Sequence, residues 1–319
     1  MSRTSYAVIS PTNLHDNGYV TDVTNYLLCN PYSRWVFYTH ATHLFLKTYC
    51  DIFDTFPDYS TIGIVINDTY YSTLTCTQMG ANNFSLELPA RGKKVEIIAG
   101  VQTKPAATIL GTFIKSIYFS GGAYITEVAP TNPASRLFIY GDSLAVGDHT
   151  EVPTQEGWTV LMRSSIDTAI EAFGYRSLFM DCETAETRAT FVSHIAAFEP
   201  SIIWLAIGTN DYGLSKWTAA NFGTAYADLL DKLHIALPSA AIYAQTPIVR
   251  ATETANALGS TMAEYRTQII SAQSTRSDYC TLVDGTEILT MGDLADGVHP
   301  TTAGHAKYAA HAKTVLGLT

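Results

Sequence analysis

The run Ile202-Ile203-Trp204-Leu205-Ala206-Ile207 contains no polar residue. A strand with one wet face alternates apolar and polar side chains, so an unbroken apolar run of strand length belongs to a sheet covered on both faces. Covering both faces takes helices between the strands, and the chain around this run alternates accordingly. Leu137–Tyr140, Ser177–Met180, Ala241–Gln245 and Cys280–Val283 have strand composition. The spacing predicts helices over Trp158–Phe173, Glu186–Phe198, Ala219–Leu237, Met262–Gln273 and Thr302–Val315. In the first of these Val160, Leu161, Ile166, Ala169 and Ile170 fall near one face. Five apolar strands separated by helices make an α/β parallel sheet, in which sites form beyond the carboxyl ends of the strands.

The preceding part of the chain follows a shorter period. Thr61–Ile66 reads as a strand turned by Asn67-Asp68. Phe84, Leu86 and Leu88 alternate with polar neighbours, Val95 and Ile97 share a face, and Thr112–Phe119 is rich in β-formers. Short strands at near-regular spacing without a helical period predict an antiparallel β-sandwich over residues 1–129. Pro130–Ser135 reads as the linker, and residues 134–319 as the second domain. The aromatic residues of the sandwich, among them Tyr26, Tyr32, Tyr38 and Tyr71, admit two readings, stacking on sugar rings or filling the core.

Three loops at strand or helix ends carry reactive groups. Gly141-Asp142-Ser143-Leu144 follows the first strand of the parallel sheet, Gly208-Thr209-Asn210-Asp211 follows the apolar run, and Asp296-Gly297-Val298-His299 precedes the last helix. A serine alcohol is inert until a base removes its proton and donors stabilise the charge on its target. His299 can take the proton of Ser143, Asp296 three residues earlier can accept the other ring N–H, and the Asn210 amide can face a developing oxyanion together with the Ser143 N–H. Asp142 and Asp211 read as structural hydrogen-bonding or capping residues. Tyr212 and Trp217, just after Asn210, are placed to line an acceptor pocket.

These three motifs, in this order and at these element ends, resemble those of the SGNH, or GDSL-type, hydrolase superfamily over residues 134–319. The resemblance implies a flavodoxin-like three-layer domain with Ser143 as nucleophile, His299 as base, Asp296 as its orienter and Asn210 as an oxyanion donor. It also implies a backbone donor between the first and third motifs, where glycine is usual; Ala185 in the stretch Cys182–Thr187 takes that position here. A β-sandwich ahead of such a domain, jelly-roll-like in that setting, is similar to the layout of carbohydrate esterase family 2 acetylesterases.

Composition narrows the partners. The formal net charge is −10 and no basic run occurs, which argues against nucleic acid. No apolar run reaches membrane-spanning length. The opening MSRTSYAVISPTN lacks a secretory apolar core, leaving a cytoplasmic chain, another export route, or a leader already removed. The cysteines number five, Cys29, Cys50, Cys76, Cys182 and Cys280, without CxxC spacing; an odd count disfavours a disulfide framework, and no clustered ligands suggest a metal or other cofactor. The expected activity is that of a serine esterase removing small acyl groups, acetyl foremost, from acylated carbohydrate or another small ester. The alternatives are an esterase, lipase or thioesterase on lipid-like substrates, and a binding or structural protein that keeps the fold.

Overall fold

The computed structural model describes residues 14–15, 19–20, 34–50, 61–67, 69–76, 80–89, 93–99, 112–119, 125–127, 136–150, 153–162, 165–172, 176–196 and 199–318. The chain divides into two compact units, residues 3–132 with 152–155, and residues 133–151 with 156–319.

The first unit is built from β1 (Leu14–His15), β2 (Tyr19–Val20), β3 (Arg34–Thr39), β4 (His43–Cys50), β5 (Thr61–Ile66), β6 (Thr69–Thr75), β7 (Gly80–Glu87), β8 (Lys93–Ala99), β9 (Thr112–Phe119) and β10 (Ile125–Glu127). They pair antiparallel in two five-stranded sheets, ordered β1-β2-β9-β4-β7 and β10-β3-β8-β5-β6. Consecutive strands β2 to β9 thus occupy the orders 2-9-4-7 and 3-8-5-6, the connectivity of a jelly roll with its two Greek keys. Alternation explains the core: Leu44 and Leu46 of β4 face Ile62, Ile64, Val95 and Ile97 of the other sheet, all buried. Phe45, between the two leucines, is exposed. Tyr38 and Tyr71 are exposed on β3 and β6, strands separated by β8 and β5, so they form no shared platform. Tyr26 and Tyr32 lie outside the described residues.

The second unit holds β11 (Arg136–Gly141), β12 (Asp167–Ala172), β13 (Ile202–Ala206), β14 (Ala241–Gln245) and β15 (Cys280–Val283), all parallel, in the order β12-β11-β13-β14-β15. Its helices follow α1 (Pro153–Glu156), a single turn: α2 (Trp158–Met162), α3 (Leu178–Cys182), α4 (Ala185–Ala196), α5 (Thr209–Leu214), α6 (Ala219–Ala236), α7 (Met262–Ser274) and α8 (Thr302–Val315). The order 2-1-3-4-5 is flavodoxin-like, and strand order reverses between β11 and β13. Ile203, Trp204 and Leu205 are wholly buried because helices cover both faces. On one side Phe222, Tyr226, Leu229 and Leu233 of α6 meet the sheet. Elsewhere in the unit the Trp158 ring stacks on Tyr308 of α8 with centroids 4.3 Å apart.

Two expected elements differ. The helix expected over Trp158–Phe173 ends at Met162, and Asp167–Ala172 is instead β12. This strand pairs with β11 alone, at the sheet edge, and its sequence lacks an apolar run. Conversely, the strand expected at Ser177–Met180 is the first turn of α3, with Leu178 and Cys182 buried four residues apart. That helix is anchored from outside, since the Asp211 carboxylate accepts the N–H groups of Leu178 and Phe179 at 2.9 and 3.0 Å. Local composition carries no trace of a cap supplied from another element.

Candidate active site

β11 delivers Ser143 and β13 delivers Asn210, the two strands flanking the reversal in strand order. After Gly141 the chain turns sharply. Ala145 and Val146 donate to the Asp142 carbonyl at 2.9 and 3.2 Å, and Asp142 Oδ1 accepts the Leu144 N–H at 3.0 Å. Gly141 admits no side chain there, because a Cβ would lie 2.5 Å from that of Ala145. The turn leaves the Ser143 hydroxyl at the strand end while the residue stays 5% exposed. Its N–H donates to no partner among the described residues.

His299 reaches the same place from a loop fastened at several points. Ala295 N–H donates to the His299 carbonyl at 2.8 Å, Thr301 N–H to Asp293 at 2.8 Å, and Ala251 N–H to Gly297 at 2.7 Å. Gly297 adopts φ +83°, a left-handed conformation that suits glycine. Asp293, bonded to Lys307 and to the Thr290 N–H and hydroxyl, is held down to about 2 by the Lys307 ammonium first. It serves as an anchor, and the loop it secures brings Asp296 to the imidazole.

The result is a continuous relay. His299 Nε2 stands 2.9 Å from Ser143 Oγ, and Nδ1 stands 2.8 Å from Asp296 Oδ2. Asp296 Oδ1 accepts the N–H groups of Val298 and His299 at 2.9 and 2.8 Å. Burial works against the charge on Asp296, but these backbone donors and the imidazole outweigh it and hold the carboxyl well below the usual carboxylate range. An ionised Asp296 keeps the proton on Nδ1 and turns the lone pair of Nε2 toward the serine. Such a geometry can deprotonate an alcohol and return the proton to a leaving group.

The Asn210 amide donates to the Arg176 carbonyl at 3.0 Å, and Asp211 clamps Leu178 and Phe179. The segment held against the Asn210 turn is therefore Arg176–Phe179. Ala185 heads α4 one helix later, exposed to solvent, while the turn that meets Asn210 lies nine residues earlier, at Arg176. Ser177 there is fully buried, with an Oγ that finds no partner among the described residues. Tyr212 also departs from expectation. It is 5% exposed, its hydroxyl donates to the carbonyls of Thr254 and Thr252 at 2.8 and 3.3 Å, and the Arg250 guanidinium lies 4.9 Å over its ring. With its polar handle spent inside the fold, Tyr212 braces the loop after β14 and has no surface for a sugar. Trp217 is half-buried, edge-on to Phe179 with centroids 5.2 Å apart.

One neighbour escaped the sequence reading. His149, six residues past the serine, stacks on His299 with ring centroids 4.7 Å apart and 23° between planes, and its Nε2 lies 3.3 Å from Asp296 Oδ2. With it the structure gathers a cluster that the sequence spacing did not suggest, since His149, Asp296 and His299 bring ligand atoms within 4.8 Å of one another. Proximity to the Gly-Asp-Ser turn was the available signal, and it is a faint one. Among the described residues no helix is long and apolar enough to cross a membrane.

The fold recurs in solved structures. A salicylyl-acyltransferase, SsfX3, from a tetracycline biosynthetic pathway is 16% identical and superimposes with a TM-score of 0.75, over 98% of this chain and 97% of that one. A family two carbohydrate esterase from Clostridium thermocellum, solved with cellohexaose, is 15% identical with a TM-score of 0.67, over 90% and 94%. The acetyl xylan esterase Est2A from Butyrivibrio proteoclasticus is 14% identical with a TM-score of 0.66, over 97% of each chain. No curated protein matches in sequence. Residues 139–307, which run from β11 through the serine turn, the asparagine turn and the histidine loop, match the GDSL-like Lipase/Acylhydrolase family, and the chain belongs to that family.

Proposed function

We propose that this protein is a serine esterase that removes small acyl groups, acetyl foremost, from carbohydrate. The observation that carries the reading is the unbroken relay from Asp296 through His299 to Ser143, closed across 156 residues of chain. As Ser143 Oγ attacks the ester carbon, His299 Nε2 takes its proton. The same nitrogen protonates the departing sugar hydroxyl, leaving an acyl-serine. Water then attacks the acyl carbon, giving its proton to Nε2; collapse of that adduct releases the carboxylic acid and restores the serine. The Ser143 N–H and the Asn210 amide face the oxyanion, and we assign the third donor to the Arg176–Ser177 turn in place of Ala185. Likeness in fold to carbohydrate esterases over most of the chain supports a sugar as the leaving group. We assign the wall of the acceptor site to Trp217, which is half-buried beside Phe179 and shortly after Asn210 in the chain.

Acetate release from acetylated xylan and acetylated cello-oligosaccharides, beside a p-nitrophenyl ester series of rising acyl length, tests the proposal. Ser143→Ala should fold normally and lose at least about 10⁴-fold in kcat. Activity that peaks at long acyl chains would refute the acetyl preference. Failure of a fluorophosphonate to label Ser143 would refute the esterase itself. Product analysis with added alcohols separates hydrolysis from transfer to a second hydroxyl.

A further inference from the structure

We propose that His149, Asp296 and His299 form a zinc site that switches the relay off. A borderline cation such as zinc favours imidazole nitrogen and carboxylate oxygen, with bonds of about 2.0–2.2 Å in a tetrahedron, which puts ligand atoms about 3.3 Å apart. Here Asp296 Oδ2 stands 2.8 Å from His299 Nδ1 and 3.3 Å from His149 Nε2, and the whole set lies within 4.8 Å. Two imidazoles therefore already converge on one carboxylate oxygen at nearly the required spacing. Closing the set around a metal takes rotations about side-chain bonds and no movement of an element.

Two further observations favour a ligand. His149 is held at φ +66°, a conformation that costs a β-carbon-bearing residue free energy and that here sets the ring against His299. The side chains of His149 and Asp296 are 45% and 39% exposed, so a hydrated cation has a path to them and water can fill the fourth position. Hard cations gain little, because the set supplies one carboxylate where magnesium or calcium needs several oxygens.

The consequence for chemistry follows from proton bookkeeping. In the relay His299 carries its proton on Nδ1 and accepts from Ser143 on Nε2. A metal on Nδ1 takes that lone pair, so the proton moves to Nε2, with none gained or lost by the ring. Nε2 then donates to Ser143 Oγ and cannot accept its proton, while Asp296 is drawn to the metal. The base is lost without any change at the serine.

The reading of the relay as catalytic underlies the switch, but the site itself is testable without turnover. Zinc chloride is titrated calorimetrically into the Ser143→Ala chain and into Ser143→Ala/His149→Asn, asparagine being tolerant of left-handed φ. The first should bind zinc in the micromolar range and ignore magnesium. Losing one ligand should weaken zinc at least as much as the about tenfold that a lost outer hydrogen bond costs. In the kinetic arm, zinc should inhibit p-nitrophenyl acetate hydrolysis by the unaltered chain, EDTA should restore it, and His149→Asn should resist inhibition relative to its own metal-free rate. Equal zinc affinity in the two titrated chains, or none below millimolar, overturns the site. Binding that leaves hydrolysis untouched overturns the switch. Absence of any hydrolysis, with the titrations as expected, would count against the esterase reading and leave the metal site standing.

Discussion

Asp142 adjoins Ser143, and its burial should be visible as a pH dependence of stability. It is 1% exposed; Oδ1 accepts the Leu144 N–H at 3.0 Å and Oδ2 has no partner among the described residues. Burial pushes its carboxyl up to about 7, against the pull of the Leu144 N–H, and the charges of Asp211 and Asp148 push the same way. In the unfolded chain the group titrates near about 3.9. Between those values the folded state keeps a proton that the unfolded state has released, so stability is full below pH 4 and is lost as pH rises toward 7. The gap, at about 1.4 kcal/mol per pH unit, amounts to about 4 kcal/mol. Asp142→Asn keeps the Oδ1 acceptor and removes the ionisation. His305 has the opposite sign: burial lowers it to about 4, so its contribution falls as pH drops below about 6.5. It is present in both chains and cancels in their difference. Urea unfolding followed by tryptophan fluorescence suits the measurement, since Trp158, Trp204 and Trp217 are three of the four tryptophans and all lie in the second unit. The stability of the variant relative to the parent should climb by about 4 kcal/mol from pH 4 to pH 7 and level off above. A difference that stays flat, or one that falls, would refute the claim that folding holds Asp142 protonated.

Asp296→Asn leaves the loop bonds from Val298 and His299 an acceptor but invites the wrong imidazole tautomer, and kcat on p-nitrophenyl acetate should drop about 10³- to 10⁴-fold; a parental rate would remove Asp296 from the relay. Tyr212→Phe abandons the Thr252 and Thr254 carbonyls and should cost about 1–2 kcal/mol in urea unfolding while leaving KM alone. A raised KM at unchanged stability would return Tyr212 to the substrate. Gly285→Ala would set a Cβ 1.9 Å from the Thr246 carbonyl oxygen, backbone that has no rotamer to escape by, and should lower stability by about 3 kcal/mol or more in thermal melts.

The parts of this fold that announce themselves locally are those whose environment is uniform along the segment. Ile202–Ala206 is buried on both faces throughout, and so reads as a central parallel strand from composition alone. α6 and α8 end where their periodicity ends, with Thr218 and Thr301 capping their first turns through Asn221 and Gly304. β12 and α3 failed because their identity is set by neighbours: one pairs on a single side, the other is capped by a carboxylate 33 residues on. The jelly-roll order is hidden for the same reason, since the pairing of β4 with β7 and β9 is a choice among partners that many alternating strands satisfy equally. At the site, Ser143, Asn210, Asp296 and His299 stood out because reactive residue types interrupted element ends. Tyr212 has the type of a sugar-stacking residue and the burial of a core one, and only packing tells these apart.

Each of the first two motifs pairs a working residue with an aspartate, and the aspartates share a logic. Asp142 fixes the turn that presents Ser143, through the Leu144 N–H; Asp211 fixes the segment facing Asn210, through Leu178 and Phe179. Both are buried, and burial pushes both up to about 7. A carboxyl group is a costly choice for a buried clamp, yet it offers two acceptor oxygens on one rigid plane, which Asp211 spends on two successive N–H groups of one helix start. Serine or threonine in that position would have to share one oxygen between both N–H groups. The turn geometry that aims the Ser143 hydroxyl and the Asn210 amide is thus secured at a cost in pH-dependent stability, which rises as the two carboxyls are forced to ionise together. Relaxing that cost with a neutral residue at 142 is compatible with the turn; at 211 it removes one of the two acceptors. Asp211→Asn should therefore disturb the Arg176–Phe179 segment and its bond with the Asn210 amide, where Asp142→Asn keeps the serine turn.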